Sequence, residues 1–189
     1  QIVFDNQVIL GTRARKTRTK SFNAFSSIDY PETAMFRDRR LIQFLQRPAE
    51  YTHAVFSTAL DPNVFVLRLV PGMRADIIPM LEGRYRALVL ESFGVGGLPG
   101  GDDGAMFAAV RDWCGAGHLA VFTTQVPHEG SDLAVYEVGR AAKALPGVLE
   151  AHDMTPEATA VKLMWVLGQT TDRAEAEKLF LTPVQWDIL

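Results

Sequence analysis

Apolar positions after residue 63 fall into short runs separated by stretches of mixed polarity. Three runs, at residues 64–70, 87–91 and 119–124, are nearly all apolar and have the length of buried strands. Stretches with helical spacing follow at residues 74–82, 103–116 and 132–145. Continuous apolar strands that alternate with helices are typical of a parallel sheet covered on both faces. We therefore predict the α/β fold class, with flanking helices around a parallel sheet.

The last predicted helix has clear start signals. Thr155 stands where an N-cap side chain is preferred, and Pro156 follows at the first helical position. Ala160 and Leu163 then recur at the spacing of a core-facing side. Asp172 is placed to cap a further short helix.

The first residues predict a β-hairpin, because apolar runs at 2–4 and 8–10 flank the turn residues Asp5 and Asn6. An isolated hairpin is marginally stable in water. We expect it to be the end of a larger α/β domain whose earlier part is missing, cleaved or on another chain. An ordinary amino-terminal hairpin left after processing is the alternative.

Residues 21–63 are irregular in pattern, with a short helix expected at 39–47 and a strand at 52–58. We predict three regions on this basis. They are residues 1–20 as the end of an amino-terminal domain, 21–63 as the connection, and 64–189 as the carboxyl-terminal domain.

Composition narrows the function classes. The net charge of −3 argues against a dedicated nucleic-acid binder, and 48% hydrophobic with 22% charged residues is ordinary for a soluble globular protein. No apolar run approaches the roughly 18 residues that a membrane span needs. The single cysteine, Cys114, excludes an internal disulfide and suits a reducing compartment. It has no acidifying neighbour in sequence and is expected to be inert.

Two motifs leave alternatives open. The glycine-rich loop at 94–101 follows a strand, but a dinucleotide fingerprint fails because its third glycine falls on Pro99. The loop is either a ligand or subunit contact or a plain turn. The basic stretch at 13–20 is a solvated edge, a weak nucleic-acid or localisation patch, or the location of one buried lysine. Desolvation and neighbouring cations would lower the pKa of such a lysine and make it a base.

Other chemistry is weakly signalled. The four histidines have no metal-ligand spacing, and no nucleophile elbow supports a serine hydrolase. Asp153 is expected to belong to the start of the last long helix.

Several segments together resemble the bacterial-type L-asparaginases, closest to the cytoplasmic type I group. The match covers nearly the whole chain in the right order, although each piece alone is weakly specific. The segments are GTRARK at 11–16, NAFSS at 23–27, VPGM at 70–73, LVLESFGVG at 88–96, TQ at 124–125, VYEVG at 135–139, DMTPEA at 153–158 and AVKLMWVL at 160–167.

The resemblance implies hydrolysis of L-asparagine to L-aspartate and ammonia through a threonine acyl-enzyme, with no cofactor. The family's catalytic threonines and aspartate lie in earlier segments that this sequence lacks, so an amino-terminal portion of the same enzyme is the implied partner. The one catalytic residue that carries over is Lys16, in the lysine position of a threonine–lysine–aspartate relay. A cytoplasmic homo-oligomer, dimer or tetramer, with no nucleic-acid or membrane partner is also implied.

The chain departs from the family's pattern around its glycine turn. Ser92, Gly97 and Asp153 are the candidates for a substrate or effector pocket, but Gly97 replaces a frequent asparagine. Some type I members have a regulatory pocket that uses an arginine where this chain has Glu91 and a cysteine where it has Val126. Without that cation, recognition of a free carboxylate should weaken. We expect no strong activation by asparagine.

Two other functions remain open. One is the asparaginase-like subunit of the archaeal glutamyl-tRNA amidotransferase, which an added domain ahead of the missing region would favour. The other is a non-catalytic role in assembly.

Overall fold

The computed structural model describes residues 1–45, 56–99 and 104–189. Its amino-terminal part contains six short strands. They are β1 (Ile2–Phe4), β2 (Gln7–Ile9), β3 (Ala14–Lys16), β4 (Phe25–Ser27), β5 (Ala34–Arg37) and β6 (Arg40–Gln43). An antiparallel sheet has the order β1-β2-β5-β6, and β3 pairs with β4 in a separate two-stranded sheet.

The predicted amino-terminal hairpin is confirmed. Strand β1 pairs antiparallel with β2, and the turn residues Asp5 and Asn6 have φ angles of 49° and 63°. Asparagine and aspartate tolerate this left-handed conformation better than most residues, and two-residue hairpins need it.

The helix predicted at 39–47 is wrong over the residues that the structure describes. Asp38 and Arg39 take positive φ angles of 51° and 62°, so the chain reverses there and continues as β6. Residues 46–47 lie outside the described residues, as do 52–55 of the strand predicted at 52–58; residues 56–58 belong to no helix or strand.

The predicted parallel sheet is confirmed in the carboxyl-terminal part. Its strands are β7 (Val64–Arg68), β8 (Ala87–Ser92), β9 (Leu119–Thr124) and β10 (Val148–Glu150). They lie in the order β10-β9-β8-β7, and all neighbouring pairs are parallel. Strand β10 was not predicted, because three residues give too short a pattern to recognise.

In the described ranges, four α-helices surround this sheet. They are α1 (Ala105–Gly115), α2 (Glu137–Lys143), α3 (Pro156–Gln169) and α4 (Arg173–Leu181). Consecutive residues of β8 point to opposite faces: Val89 packs in a cluster with α3 and α4, and Leu88 in a cluster with α1. Both faces are therefore covered, as the near-continuous apolar strands indicated.

The predicted caps of the last two helices are confirmed, whereas the helices predicted at 74–82 and 132–145 differ from the structure. The Thr155 hydroxyl accepts from the Ala158 amide at 3.1 Å and begins α3, and the Asp172 carboxylate begins α4. Residues 74–82 instead form two 3₁₀ turns, at Ala75–Ile77 and Pro79–Leu81.

The helix predicted at 132–145 is shorter than expected. The Leu133 amide donates to the Glu150 carboxylate at 2.6 Å, and the Ala134 amide donates to the Asp132 side chain at 2.9 Å. These side-chain bonds hold residues 133–134 in a turn, and α2 begins only at Glu137. Within the described ranges, no helix has the length and apolar character needed to cross a membrane.

Candidate functional site

Lys16 ends strand β3 and pairs in register with Phe25 of β4. Its Nζ lies 6.0 Å from the centroid of the Phe25 ring, and the residue is exposed in this chain. The described residues therefore do not bury Lys16, although one buried lysine was among the alternatives for the basic stretch. Any desolvation of this amine would have to come from protein outside them.

An aromatic cluster lies beside the Lys16 amine. The Phe25 ring packs edge-on against Phe4 with centroids 5.2 Å apart, and Phe4 stacks on Phe22 at 5.1 Å. Phe22 is exposed. Lys16 thus lies beside an aromatic cluster in which Phe4 and Phe25 are half-buried and Phe22 is exposed.

The cation of the basic stretch that is buried is Arg13, with no accessible surface. Its Nε donates to the Trp186 carbonyl at 2.6 Å, and its Nη1 donates to the Asp153 carbonyl at 2.8 Å. Its Nη2 lies 2.8 Å from Asp153 Oδ2, in ion-pair contact rather than in an aligned hydrogen bond. The Tyr30 ring covers the guanidinium, with its centroid 5.5 Å away.

Arg15 makes a second contact between the same strand and the start of α3. Its Nε lies 3.6 Å from Glu157 Oε1. Successive residues of a strand point to opposite faces, so Lys16 faces away from the side on which Arg15 meets α3. Arg13, just before β3, and Arg15 within it thus anchor the strand to the carboxyl-terminal part of the chain, and Lys16 is presented on the other side.

Of the three pocket candidates, Ser92 is the last residue of β8, whereas Gly97 and Asp153 follow the carboxyl ends of β8 and β10. Ser92 is fully buried, and its hydroxyl donates to the Thr123 carbonyl at 2.7 Å. Gly97 lies in a tight turn, where an added Cβ would be 3.2 Å from the Phe93 carbonyl oxygen. Asp153 is held by Arg13. Their role in a pocket stays a prediction.

Glu91 carries a negative charge at the position where the resemblance expects a cation. Its carboxylate lies 3.3 Å from Arg68, its register partner on β7. Val126 is exposed. The residue before it, Gln125, donates to the Leu69 and Glu91 carbonyls. The Glu91 charge is therefore already matched within the sheet.

The contact between Arg13 and Asp153 was not predicted. The two residues are 140 positions apart, and neither local pattern names a partner for the other. A cation within an otherwise solvated basic stretch was the available signal, but composition does not say which cation is buried. Among the described residues, no group of three or more histidine, cysteine or acidic residues is placed to hold a metal ion.

Two family models match the chain. The model described as "Glutaminase/Asparaginase C-terminal domain" matches residues 63–180, and "Asparaginase, N-terminal" matches residues 1–50. The fold and the two matches together define the class: the chain belongs to the glutaminase/asparaginase family.

Individual relatives agree with this assignment. The chain is 38% identical over 179 residues to an L-asparaginase of Thermococcus kodakarensis, covering 94% of this chain and 53% of that protein. It is 33% identical to a subunit of the glutamyl-tRNA(Gln) amidotransferase of Metallosphaera sedula, covering 91% of this chain and 39% of the relative. The chain therefore spans about half, or less, of the length of these relatives.

Solved structures show the same fold. The thermostable L-asparaginase from Thermococcus kodakarensis superposes with a TM-score of 0.91 at 35% identity, over 98% of this chain and 56% of that one. L-asparaginase I from Vibrio cholerae gives a TM-score of 0.80 at 22% identity, over 98% of this chain and 56% of that one.

Proposed function

We propose that this chain is the carboxyl-terminal portion of an L-asparaginase of the cytoplasmic type, which hydrolyses L-asparagine to L-aspartate and ammonia. The observation that carries the proposal is the presentation of Lys16 away from the carboxyl-terminal domain. The likeness to the Thermococcus kodakarensis L-asparaginase, which extends over 94% of this chain, supports it.

In this proposal the nucleophile comes from an amino-terminal portion that carries the threonines. A threonine hydroxyl attacks the side-chain amide carbon of asparagine, ammonia leaves, and water then hydrolyses the acyl-enzyme to aspartate. The Lys16 amine takes up the hydroxyl proton in a relay with an aspartate of that portion, and the relay returns a proton to the amide nitrogen, which leaves as ammonia. The neutral amine that this step needs is favoured when the companion portion removes water from Lys16.

Exposed apolar side chains of the amino-terminal sheets fit the docking of such a portion. They lie within the first 45 residues and include Val3, Phe22, Phe36, Leu41 and Phe44. Phe36 and Leu41 are register partners on β5 and β6, so these two exposed side chains are neighbours, and exposed apolar surface is typical of an interaction site in soluble proteins. We propose that the amino-terminal portion covers it and that the complete enzyme assembles as a homo-oligomer.

A second candidate is the asparaginase-like subunit of a glutamyl-tRNA amidotransferase. The 33% identity to the amidotransferase subunit of Metallosphaera sedula favours it as the alternative. In that function, released ammonia would pass to another subunit. Asparagine hydrolysis by the complete protein, without tRNA or a second subunit, separates the two functions, and absence of ammonia release under either condition would leave an assembly role.

The test of the lysine assignment is Lys16→Met in the complete protein, assayed for ammonia release from L-asparagine. We expect a loss of about 10²- to 10⁴-fold, the contribution of a positioned proton acceptor. Lys20→Met is the matched control, because Lys20 is an exposed lysine of the same basic stretch. Its activity should equal that of wild type. Unchanged turnover of Lys16→Met would remove the lysine from the mechanism.

The same assay tests whether the amino-terminal portion supplies the threonine nucleophile. This chain alone should release no ammonia, since the catalytic threonines of the family's earlier segments are not in it. Addition of the amino-terminal portion should restore activity. Hydrolysis by the isolated chain would contradict the proposal.

A further inference from the structure

We propose that Arg13 is a positioning residue, and that its buried ion pair with Asp153 fixes the place where β3 presents the Lys16 amine. The inference rests on the proposed function, because it assigns a role relative to the amine that this function uses. It starts from an arginine three residues before Lys16 that is wholly buried against the carboxyl-terminal domain.

The surroundings of Arg13 allow its guanidinium one placement. Its nitrogens engage the Trp186 carbonyl, the Asp153 carbonyl and the Asp153 carboxylate, all within 2.8 Å, while Tyr30 covers the planar group. A buried charge that loses such partners is strongly destabilised. The planar guanidinium also fixes the direction of its contacts better than an ammonium would.

The Asp153 side of the pair is equally constrained. Its Oδ1 accepts from the Leu189 amide at 3.1 Å, while its Oδ2 faces Arg13. Two residues later, the Thr155 hydroxyl that caps α3 lies 3.4 Å from the Thr12 carbonyl. The residues before β3 are therefore attached to the start of α3, which packs in the core of the carboxyl-terminal domain.

Strand β3 needs such an anchor. It has three residues, and a two-stranded sheet alone is marginally stable in water. The Arg13 carbonyl accepts from the Ile28 amide at 2.9 Å, so the buried arginine also begins the pairing of β3 with β4. We infer that the place of Lys16 is set by the carboxyl-terminal domain through Arg13.

A purely structural ion pair would produce a different result, and the chain offers a matched control. The match is at the aspartate: the Asp61 carboxylate pairs with Arg86 at 2.7 Å, and the exposure is 16% for Asp61 and 20% for Asp153, whereas Arg86 is 37% exposed and Arg13 is fully buried. Asp61 lies before β7 and contacts α3 at the Met164 carbonyl, at a distance in sequence from β3. Asp61→Asn should lower stability without affecting Lys16.

The experiment compares Asp153→Asn and Asp61→Asn in the complete protein by two measurements. For Asp153→Asn, hydrogen–deuterium exchange of a peptide covering residues 11–18 should accelerate about tenfold or more, since β3 loses its anchor. Its kcat should fall by about 100-fold, the effect expected of a displacement near 1 Å, with KM within twofold of wild type. Asp61→Asn should change neither exchange in this peptide nor kcat.

A second variant keeps the test decisive if Asp153→Asn folds poorly. Arg13→Met/Asp153→Leu replaces the pair with apolar side chains, a change that often restores or improves stability. A recovered Tm with kcat still about 100-fold low supports positioning. A kcat that recovers together with Tm overturns it, because the pair would then serve stability alone.

The outcomes distinguish this inference from the proposed function. If Lys16→Met is inactive while Asp153→Asn keeps wild-type exchange and kcat, the positioning role is overturned and the lysine assignment stands. If Lys16→Met is fully active, the lysine assignment fails and the positioning role fails with it. The exchange data then still report whether Asp153 anchors β3.

Discussion

At the scale of residues, each of the buried cations Arg13 and Lys162 contacts both a carboxylate and a backbone carbonyl oxygen. Arg13 has Asp153 and two carbonyls, and Lys162 lies 2.8 Å from Asp187 and donates to the Thr182 carbonyl at 2.8 Å. Removal of one partner from such a pair typically costs about 3–5 kcal/mol. These contacts therefore fix geometry more firmly than the exposed ion pairs, which contribute about 0–1 kcal/mol each.

The thiol gives a prediction at the same scale. Burial raises the pKa of Cys114 to about 11, although the charge of Arg173 acts in the lowering direction. At pH 8 about one thiol in 10³ would then be the reactive thiolate. We expect a thiol-specific disulfide reagent to leave the folded protein unlabelled and to react fully after unfolding in urea. Rapid labelling of the folded protein would contradict the inert thiol that the sequence predicted.

The residue scale also limits what sequence could predict about the site. Lys16 was named through a resemblance, and its exposed place on β3 was not predicted. The partner of Arg13 was not recognised, since the contact with Asp153 joins residues 140 positions apart. Local patterns report on neighbours along the chain, whereas this pairing depends on how the turn at Gly11–Arg13 packs against α3.

At the scale of elements, prediction succeeded where a side chain acts on its own backbone. Thr155 and Asp172 accept from amides three residues later, so the sequence around each cap contains the whole interaction. It failed at β6, where the deciding feature is the left-handed turn at Asp38 and Arg39. An arginine there gives no turn signal, and the following apolar residues are too few to separate strand from helix.

The turn before β6 gives a prediction about stability. Asp38→Asn/Arg39→Gly installs the residue pair that a two-residue hairpin prefers and removes a left-handed arginine. We expect the free energy of unfolding to rise by about 0.5–1 kcal/mol, measured by urea denaturation. Arg40→Gly, placed within the strand, should instead lower it by a similar amount. A loss of stability in the turn variant would contradict the hairpin.

At the scale of the whole molecule, the parallel sheet was predictable because its central strands, β8 and β9, are buried on both faces and therefore nearly all apolar. The amino-terminal strands were harder, since their pairing brings β2 beside β5 across more than 20 residues of chain. Their exposed apolar positions depend on protein that this chain does not contain, under the proposed function. The division into domains stays a prediction for the same reason.

Regulation of the complete enzyme is predicted at this scale too. The Glu91 carboxylate pairs with Arg68 across β7 and β8, where an arginine would be needed to receive the carboxylate of a regulatory asparagine. We expect the rate of ammonia release to rise hyperbolically with asparagine concentration. A sigmoidal curve for the complete protein would contradict this expectation and would indicate an effector pocket near the glycine turn.

The alternation along β3 has a consequence for changes in chain length. Arg15 and Lys16 are consecutive, so insertion or deletion of one residue just before them would exchange which cation faces Glu157 and which faces outward. Substitutions at Ala14 preserve this alternation, whereas a change in spacing does not. A graft of this segment into another scaffold should keep the three-residue spacing between Arg13 and Lys16. This spacing takes priority over the identities of the residues between them.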